Sequence, residues 1–314
     1  MKKTVLTLIL GFLLIGINAY SAGDLIVEGN LGIGTAAPAQ KLDVNGSITI
    51  PATIDSTSGV IYKANDRFIH DFALPGTDGN NLFIGKNAGN FTMTGSTIYK
   101  GSYNMGIGQN ALISNTTRYF NSAIGLNALS SNTTGAYNFA IGKLALGGNT
   151  TGSFNFAMGE QALSSNTTGS YNSAMGTYAL GSNPTGSYNI AMGFAALYAT
   201  TAGSYNTAIG MTAIFNAAGS YNTAMGINAG RSITTGDSNT FLGYSAGNNA
   251  LQKVNAVNSM ALGNGAYTTA DNQVVIGNTS VTQTLLNGNV GVGTPAPNTK
   301  VDIAGDIALR AGAF

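Results

Sequence analysis

His70 is the only histidine in 314 residues, and cysteine is absent, so groups able to ligate a metal or act as a nucleophile are scarce. Asp66, Arg67 and Asp71 stand close to it in sequence. In an assembly of three copies His70 would recur three times about an axis, a geometry open to a metal ion. A solvated or hydrogen-bonded histidine in a connecting segment is the simpler reading, and no metal or other cofactor is assigned. Catalysis needs convergent acids, bases or nucleophiles, and from Gly101 to Gly230 the only charged residues are Arg118, Lys143 and Glu160. No carboxylate pair at fixed spacing and no Ser/His/Asp grouping appears. Gly32-Ile-Gly34 and Gly291-Val-Gly293 lack the third Gly and the Lys of a phosphate loop, so they read as turn glycines. No catalytic residue is assigned.

What recurs instead is ring, amide and hydroxyl chemistry. Tyr137, Tyr171, Tyr188 and Tyr205 belong to a row with Tyr103, Phe120, Phe154 and Tyr221 that would stack on sugar rings if its faces were open, or stack on itself. Asn132-Thr133-Thr134 and Asn166-Thr167-Thr168 form a second row of amides and hydroxyls able to meet a glycan or ice, although turn chemistry alone explains them.

Composition narrows the classes further. Charged residues are 8% of the chain, against about a quarter in an ordinary globular domain, while Gly numbers 44 and Asn 36. Thirteen Lys+Arg against 12 Asp+Glu give no basic density for nucleic acid. Hydrophobic content of 44% argues against disorder.

Elements that position these rows follow from a period of 17 residues. Gly135-Ala-Tyr-Asn-Phe-Ala-Ile-Gly142, Gly152-Ser-Phe-Asn-Phe-Ala-Met-Gly159 and Gly169-Ser-Tyr-Asn-Ser-Ala-Met-Gly176 are three of eight aligned blocks, with looser copies on both sides. Such a period is too short for a helix pair and fits one coil of a parallel β-solenoid, each coil a short alternating strand and a polar turn. Stacked coils about 4.8 Å apart would make a rod of roughly 50–60 Å. Three ladders are expected inside it. One is aliphatic through Ile124, Ile141, Met158 and Met175; a second runs through Leu129, Leu146 and Leu163; a third is an Asn row through Asn121, Asn138 and Asn155. So few large apolar residues per coil make a thin core, which predicts symmetric association through the Ala face.

Gly29 to Gly46 recurs as Gly288 to Gly305, each with two short strands joined through a Pro-containing turn, as expected of caps on an open stack. Met1-Lys2-Lys3, an apolar run of 13 residues from Val5 to Ile17 and Ala19-Tyr20-Ser21 read as an export signal, too short to span a bilayer. No later segment is long and apolar enough to do so. The chain therefore divides into a signal peptide (1–21), an N-terminal cap (22–50), a connector (51–78), a repeat domain (79–277) and a C-terminal cap (278–314).

The Asn-x-Ala-Ile-Gly coils resemble the head repeats of trimeric autotransporter adhesins. The Gly-x-Gly-Thr-x-x-Pro-x-x-Lys-Leu-Asp-Val-x-Gly segments resemble those of phage tail-fibre-like proteins of bacterial surfaces. These resemblances imply a left-handed parallel β-roll, three chains to a rod, and a protein at the cell surface or outside the cell. The expected fold is thus an all-β, homotrimeric solenoid with short β caps. The expected function is a non-enzymatic fibre or adhesin attaching to cell-surface glycans or another cell's envelope. A structural rod or coat component without its own ligand is the alternative, and an ice- or surface-binding solenoid a further one.

Overall fold

The computed structural model describes residues 18–20, 24–26, 30–33, 35, 37–51, 59–73, 77–91, 101–216 and 218–304. It divides into two compact units, Met1–Ala52 and Thr53–Phe314. All described regular structure is β, and no described helix is long and apolar enough to cross a membrane. Most of the expected export signal lies outside the described residues.

In the first unit β1 (Asn18–Tyr20) and β2 (Asp24–Ile26) pair antiparallel, and β3 (Leu31–Ile33) and β4 (Leu42–Val44) pair parallel. The Pro-containing segment between β3 and β4 is therefore a crossover loop rather than a hairpin turn. Asn30 Nδ2 donates to the Pro38 carbonyl at 3.0 Å, and the Ala39 N–H donates to Asp43 Oδ2 at 3.0 Å. The duplicate in the second unit repeats both bonds, Asn289 to Pro297 at 3.2 Å and Asn298 to Asp302 at 2.9 Å. Those bonds are why Asn, Pro and Asp return together in the two segments.

The second unit is built on a 14-stranded sheet. It opens with β5 (Ile61–Lys63), β6 (Asp66–His70) and β7 (Leu82–Ile84). There follow β8 (Met105–Ile107), β9 (Ser122–Ile124), β10 (Phe139–Ile141), β11 (Phe156–Met158), β12 (Ser173–Met175) and β13 (Ile190–Met192). The run ends with β14 (Thr207–Ile209), β15 (Thr223–Met225), β16 (Thr240–Leu242), β17 (Met260–Leu262) and β18 (Val274–Ile276). From β7 to β18 every pairing is parallel and one coil apart, as in Phe139↔Phe156, Ala140↔Ala157 and Ile141↔Met158. The chain is a β-solenoid of about 17-residue coils, as the period predicts. The C-terminal duplicate, β19 (Val290–Val292) and β20 (Val301–Ile303), forms a two-stranded sheet of its own.

One expected ladder points the wrong way. Leu129, Leu146 and Leu163 are fully buried as predicted, but their inward partners in the strands are Ala123, Ala140 and Ala157. Ile124 and Ile141 are half-buried, and Met158 and Met175 lie exposed on the outer side of the sheet. Side chains alternate along a strand, so a three-residue strand must choose between its middle residue and its two flanks. Inside so narrow a coil, facing a Leu, only a methyl group fits. Where the Leu column gives way to Gly, the strand supplies a ring: Phe83 lies against Gly89, and Phe241 against both Gly230 and Gly247. The expectation that Ala lies between chains is corrected with it.

Amides fill the remaining interior. Asn138 accepts at Oδ1 from the Asn155 N–H at 3.0 Å and donates from Nδ2 to the Gly152 carbonyl at 2.8 Å, and this pattern repeats along the expected ladder. A second ladder lies within the Asn-Thr-Thr turns, where Asn149 donates to Asn132 at 2.8 Å and Asn166 to Asn149 at 2.7 Å. It stops at Asn183, whose Nδ2 keeps the bond to the carbonyl three residues on, Gly186 at 3.0 Å, that Asn132, Asn149 and Asn166 also make, but gives none to Asn166. Asn166 Oδ1, Asn183 Oδ1 and Thr200 Oγ1 are left buried without a donor among the described residues. Next to them Pro184 has no N–H, whereas its counterparts Thr150 and Thr167 each donate to the following coil.

Each coil also holds left-handed residues that are not glycine, such as Tyr171 at φ 60°, Tyr178 at 62° and Leu180 at 51°. Such a conformation costs an L-residue roughly 1–2 kcal/mol, which the stacked hydrogen bonds and buried columns must offset.

The first coil's edge is covered by the connector. β5 and β6 form an antiparallel hairpin, and β6 pairs antiparallel with β7, Ile69↔Ile84 and His70↔Phe83. At the other end β18 pairs with no further strand among the described residues.

Candidate functional site

Four places carry the residues with possible chemistry. The first is His70, at the end of β6 and only 3% exposed. Its ring lies 4.9 Å from that of Phe83 and 4.6 Å from that of Phe91. Nε2 is 2.8 Å from the Ala88 carbonyl oxygen and so carries the proton, while Nδ1 accepts from the Phe72 N–H at 3.3 Å. Nε2 is thus tied to the first coil and Nδ1 to the backbone just after β6, so His70 is the hydrogen-bonded histidine of the simpler reading, a buried, neutral pin with no nitrogen left for a metal. No group of three or more His, Asp or Glu residues could hold a metal ion among the described residues.

Burial pushes the His70 pKa below its ordinary 6.5; Arg67 adds to the lowering, and the Ala88 bond and Asp71 oppose it. A group that binds its proton more weakly when folded than when unfolded favours folding above the unfolded pKa. The thermal midpoint of the hairpin is therefore expected to be level above pH 6.5 and to fall as the pH is lowered from there. His70→Gln should remove that slope between about pH 5 and 6.5, above the carboxylate range. An unchanged slope in this variant, followed by circular dichroism, would refute the assignment.

The second place is the aromatic row. Tyr137 and Phe154 stack at 4.7 Å and 9°, Tyr171 and Tyr188 at 4.8 Å and 3°, and Tyr188 and Tyr205 at 4.9 Å and 2°. Each of Tyr137, Tyr171, Tyr188 and Tyr205 is covered on both faces by its neighbours, so only edges and hydroxyls meet solvent. Sugar stacking on these four residues is thereby ruled out as their role.

The Asn-Thr-Thr row is the third. Asn132 and Asn166 are fully buried in the ladder described above. Thr133 Oγ1 donates to the Thr150 carbonyl at 3.0 Å, and Thr167 Oγ1 to the Pro184 carbonyl at 2.8 Å. Thr134 is half-buried and Thr168 exposed, so these last hydroxyls alone remain on the surface. The first half of the motif is structural, which its Asn spacing foreshadows.

Fourth is the outer side of the sheet. Phe139 and Phe156 stack at 5.1 Å and 5° there, beside Ile141 and Met158, and Met175, Ile190, Met192 and Met225 extend the apolar strip. Lys143 and Glu160, paired at 3.0 Å in adjacent coils, lie beside it. A cleft of about 380 Å³ opens at the β18 end, lined by Tyr267, Thr269, Gln273, Val275 and Ile276.

Repetition of one coil, polar ladders within and apolar and aromatic strips without, places the chain in the class of β-solenoid repeat proteins. No protein-family model matches it. No curated protein matches it at a significant level.

Proposed function

We propose that the chain is the rod of a non-enzymatic extracellular fibre, homotrimeric and adhesive toward cell-surface glycans or another cell's envelope. The outer strip carries this reading. Met158, Met175 and Met192 are each 37–38% exposed in a continuous column, flanked by Phe139, Phe156 and Ile190. A contiguous apolar strip along an entire sheet marks an association surface, and with 8% charged residues little opposes its burial against copies of itself. The adhesin-like coils and tail-fibre-like end segments support the trimer and the surface location, and the Met1–Ser21 segment supports export. A structural rod without its own ligand is the second reading, favoured by the aromatic faces and threonine hydroxyls that are engaged within the stack. Those same hydroxyls weaken the ice-binding alternative.

Light scattering on the chain without residues 1–21 should give three times the chain mass at all concentrations tested. Met175→Glu combined with Met192→Glu should reduce it to one chain while the far-UV spectrum keeps its β form. A wild-type monomer would sink the reading. If the trimer holds, binding to glycans or whole cells separates the adhesive fibre from the plain rod.

A further inference from the structure

The aromatic row ends in an open ring. Tyr205 and Tyr221 stack at 5.1 Å and 2°, but Tyr221 is 60% exposed against 49% for Tyr205. In the next coil the same position belongs to Ser238, at φ 60°, the value Tyr221 itself adopts. The backbone continues; only the side chain changes from a ring to a hydroxymethyl group. One coil further the position belongs to Asn258. With coils about 4.8 Å apart, Tyr221 and Asn258 stand roughly 9.6 Å apart, room for one ring stacked on Tyr221 at the spacing of the row.

The edges of this step are polar. Asp237 Oδ1 accepts from the Ser220 N–H at 2.6 Å, and its other oxygen takes no hydrogen bond from the described residues. Asn258 is exposed, its Nδ2 donates to Asn272 Oδ1 at 2.8 Å, and its own side-chain oxygen takes no hydrogen bond from the described residues. Ser238 is exposed and offers its hydroxyl. An aromatic face that attracts C–H groups, beside acceptors for several hydroxyls, matches a pyranose, whose ring has an apolar C–H face and a hydroxyl rim.

We infer that Tyr221, Asp237, Ser238 and Asn258 form a binding site for a single neutral hexopyranose, stacked on Tyr221 in continuation of the aromatic row. The carboxylate of Asp237 disfavours acidic sugars. This deepens the adhesive reading and rests on it.

The test is saturation-transfer NMR on the intact protein with D-glucose, D-galactose and N-acetyl-D-galactosamine, each at millimolar concentration. At least one sugar should receive saturation at its ring C–H protons. Tyr221→Ala should abolish that transfer. Ser238→Tyr should abolish it too, because it lays a ring on Tyr221 where the backbone already has the φ of the row, and it should keep or raise the thermal midpoint. Transfer that survives Ser238→Tyr overturns the site while leaving the adhesive reading intact. No transfer with any of the three sugars also overturns it. Whole-cell or glycan-surface binding by the same samples then decides whether the adhesive reading falls with it.

Discussion

Replacing Leu146 with Asp is expected to abolish the cooperative thermal transition, whereas Ile141→Asp should leave the β spectrum intact and lower only the assembled mass. The two residues are five positions apart in one coil, and both belong to apolar columns. Leu146 is fully buried between Leu129 and Leu163 of the adjoining coils, and no cation lies in that column to pair with a carboxylate. An unpaired buried charge costs several kcal/mol, comparable to the whole stability of a domain. Because every coil rests on its neighbours, losing one divides the stack. Ile141 points to the outer side, where water solvates a carboxylate and a single surface change is usually worth within about 0.5 kcal/mol. Thermal circular dichroism of both variants checks this. A surviving transition in Leu146→Asp would mean that the Leu column does not hold the coils together.

Gly159→Ala should be nearly as damaging, without introducing any charge. Gly159 has φ +138°, and a Cβ on it would lie 2.6 Å from the carbonyl carbon and oxygen of Gly176 in the next coil. Backbone cannot give way as a flexible side chain would, so the coils must part and stretch the ladder bonds on either side. Backbone strain and overpacking together amount to about 2–5 kcal/mol. Gly288→Ala is the control, since a Cβ there meets nothing within 4 Å. Equal thermal midpoints for the two variants would contradict the close approach of coils.

Much of this architecture is legible in the sequence, because stacking makes the period itself a structural observable. Seventeen-residue spacing fixes which residues lie above one another, and it places the strands, the Leu column and the Asn121–Asn138–Asn155 row correctly. The inside of a three-residue strand is not legible. Alternation separates Ala140 from Phe139 and Ile141 but does not say which set faces in, and hydrophobicity favours the wrong one. The width of the coil decides, and the clue lies in Phe83 and Phe241, large where the Leu column is Gly. The Asn of each Asn-Thr-Thr turn resembles any turn residue until its amide is found donating inward. The β5–β6 hairpin carries no repeat, so nothing in the period announces that His70 pins a strand antiparallel to the first coil. The polar edge beside Tyr221 depends on three coils whose lengths differ, which hides the alignment of Ser238 with Asn258.

The interruption at Asn183 and Pro184 sets how the solenoid comes apart. Stability in a linear stack is a chain of nearest-neighbour couplings, and unfolding spreads until it meets a weak one. At this junction an amide rung and a backbone bond are both missing, and three buried oxygens go without donors. The coils before and after it therefore behave as two cooperative blocks. Heating or pulling along the stack opens the junction first, and hydrogen exchange of the amides beside Thr200 should outpace that of Leu146 or Leu163.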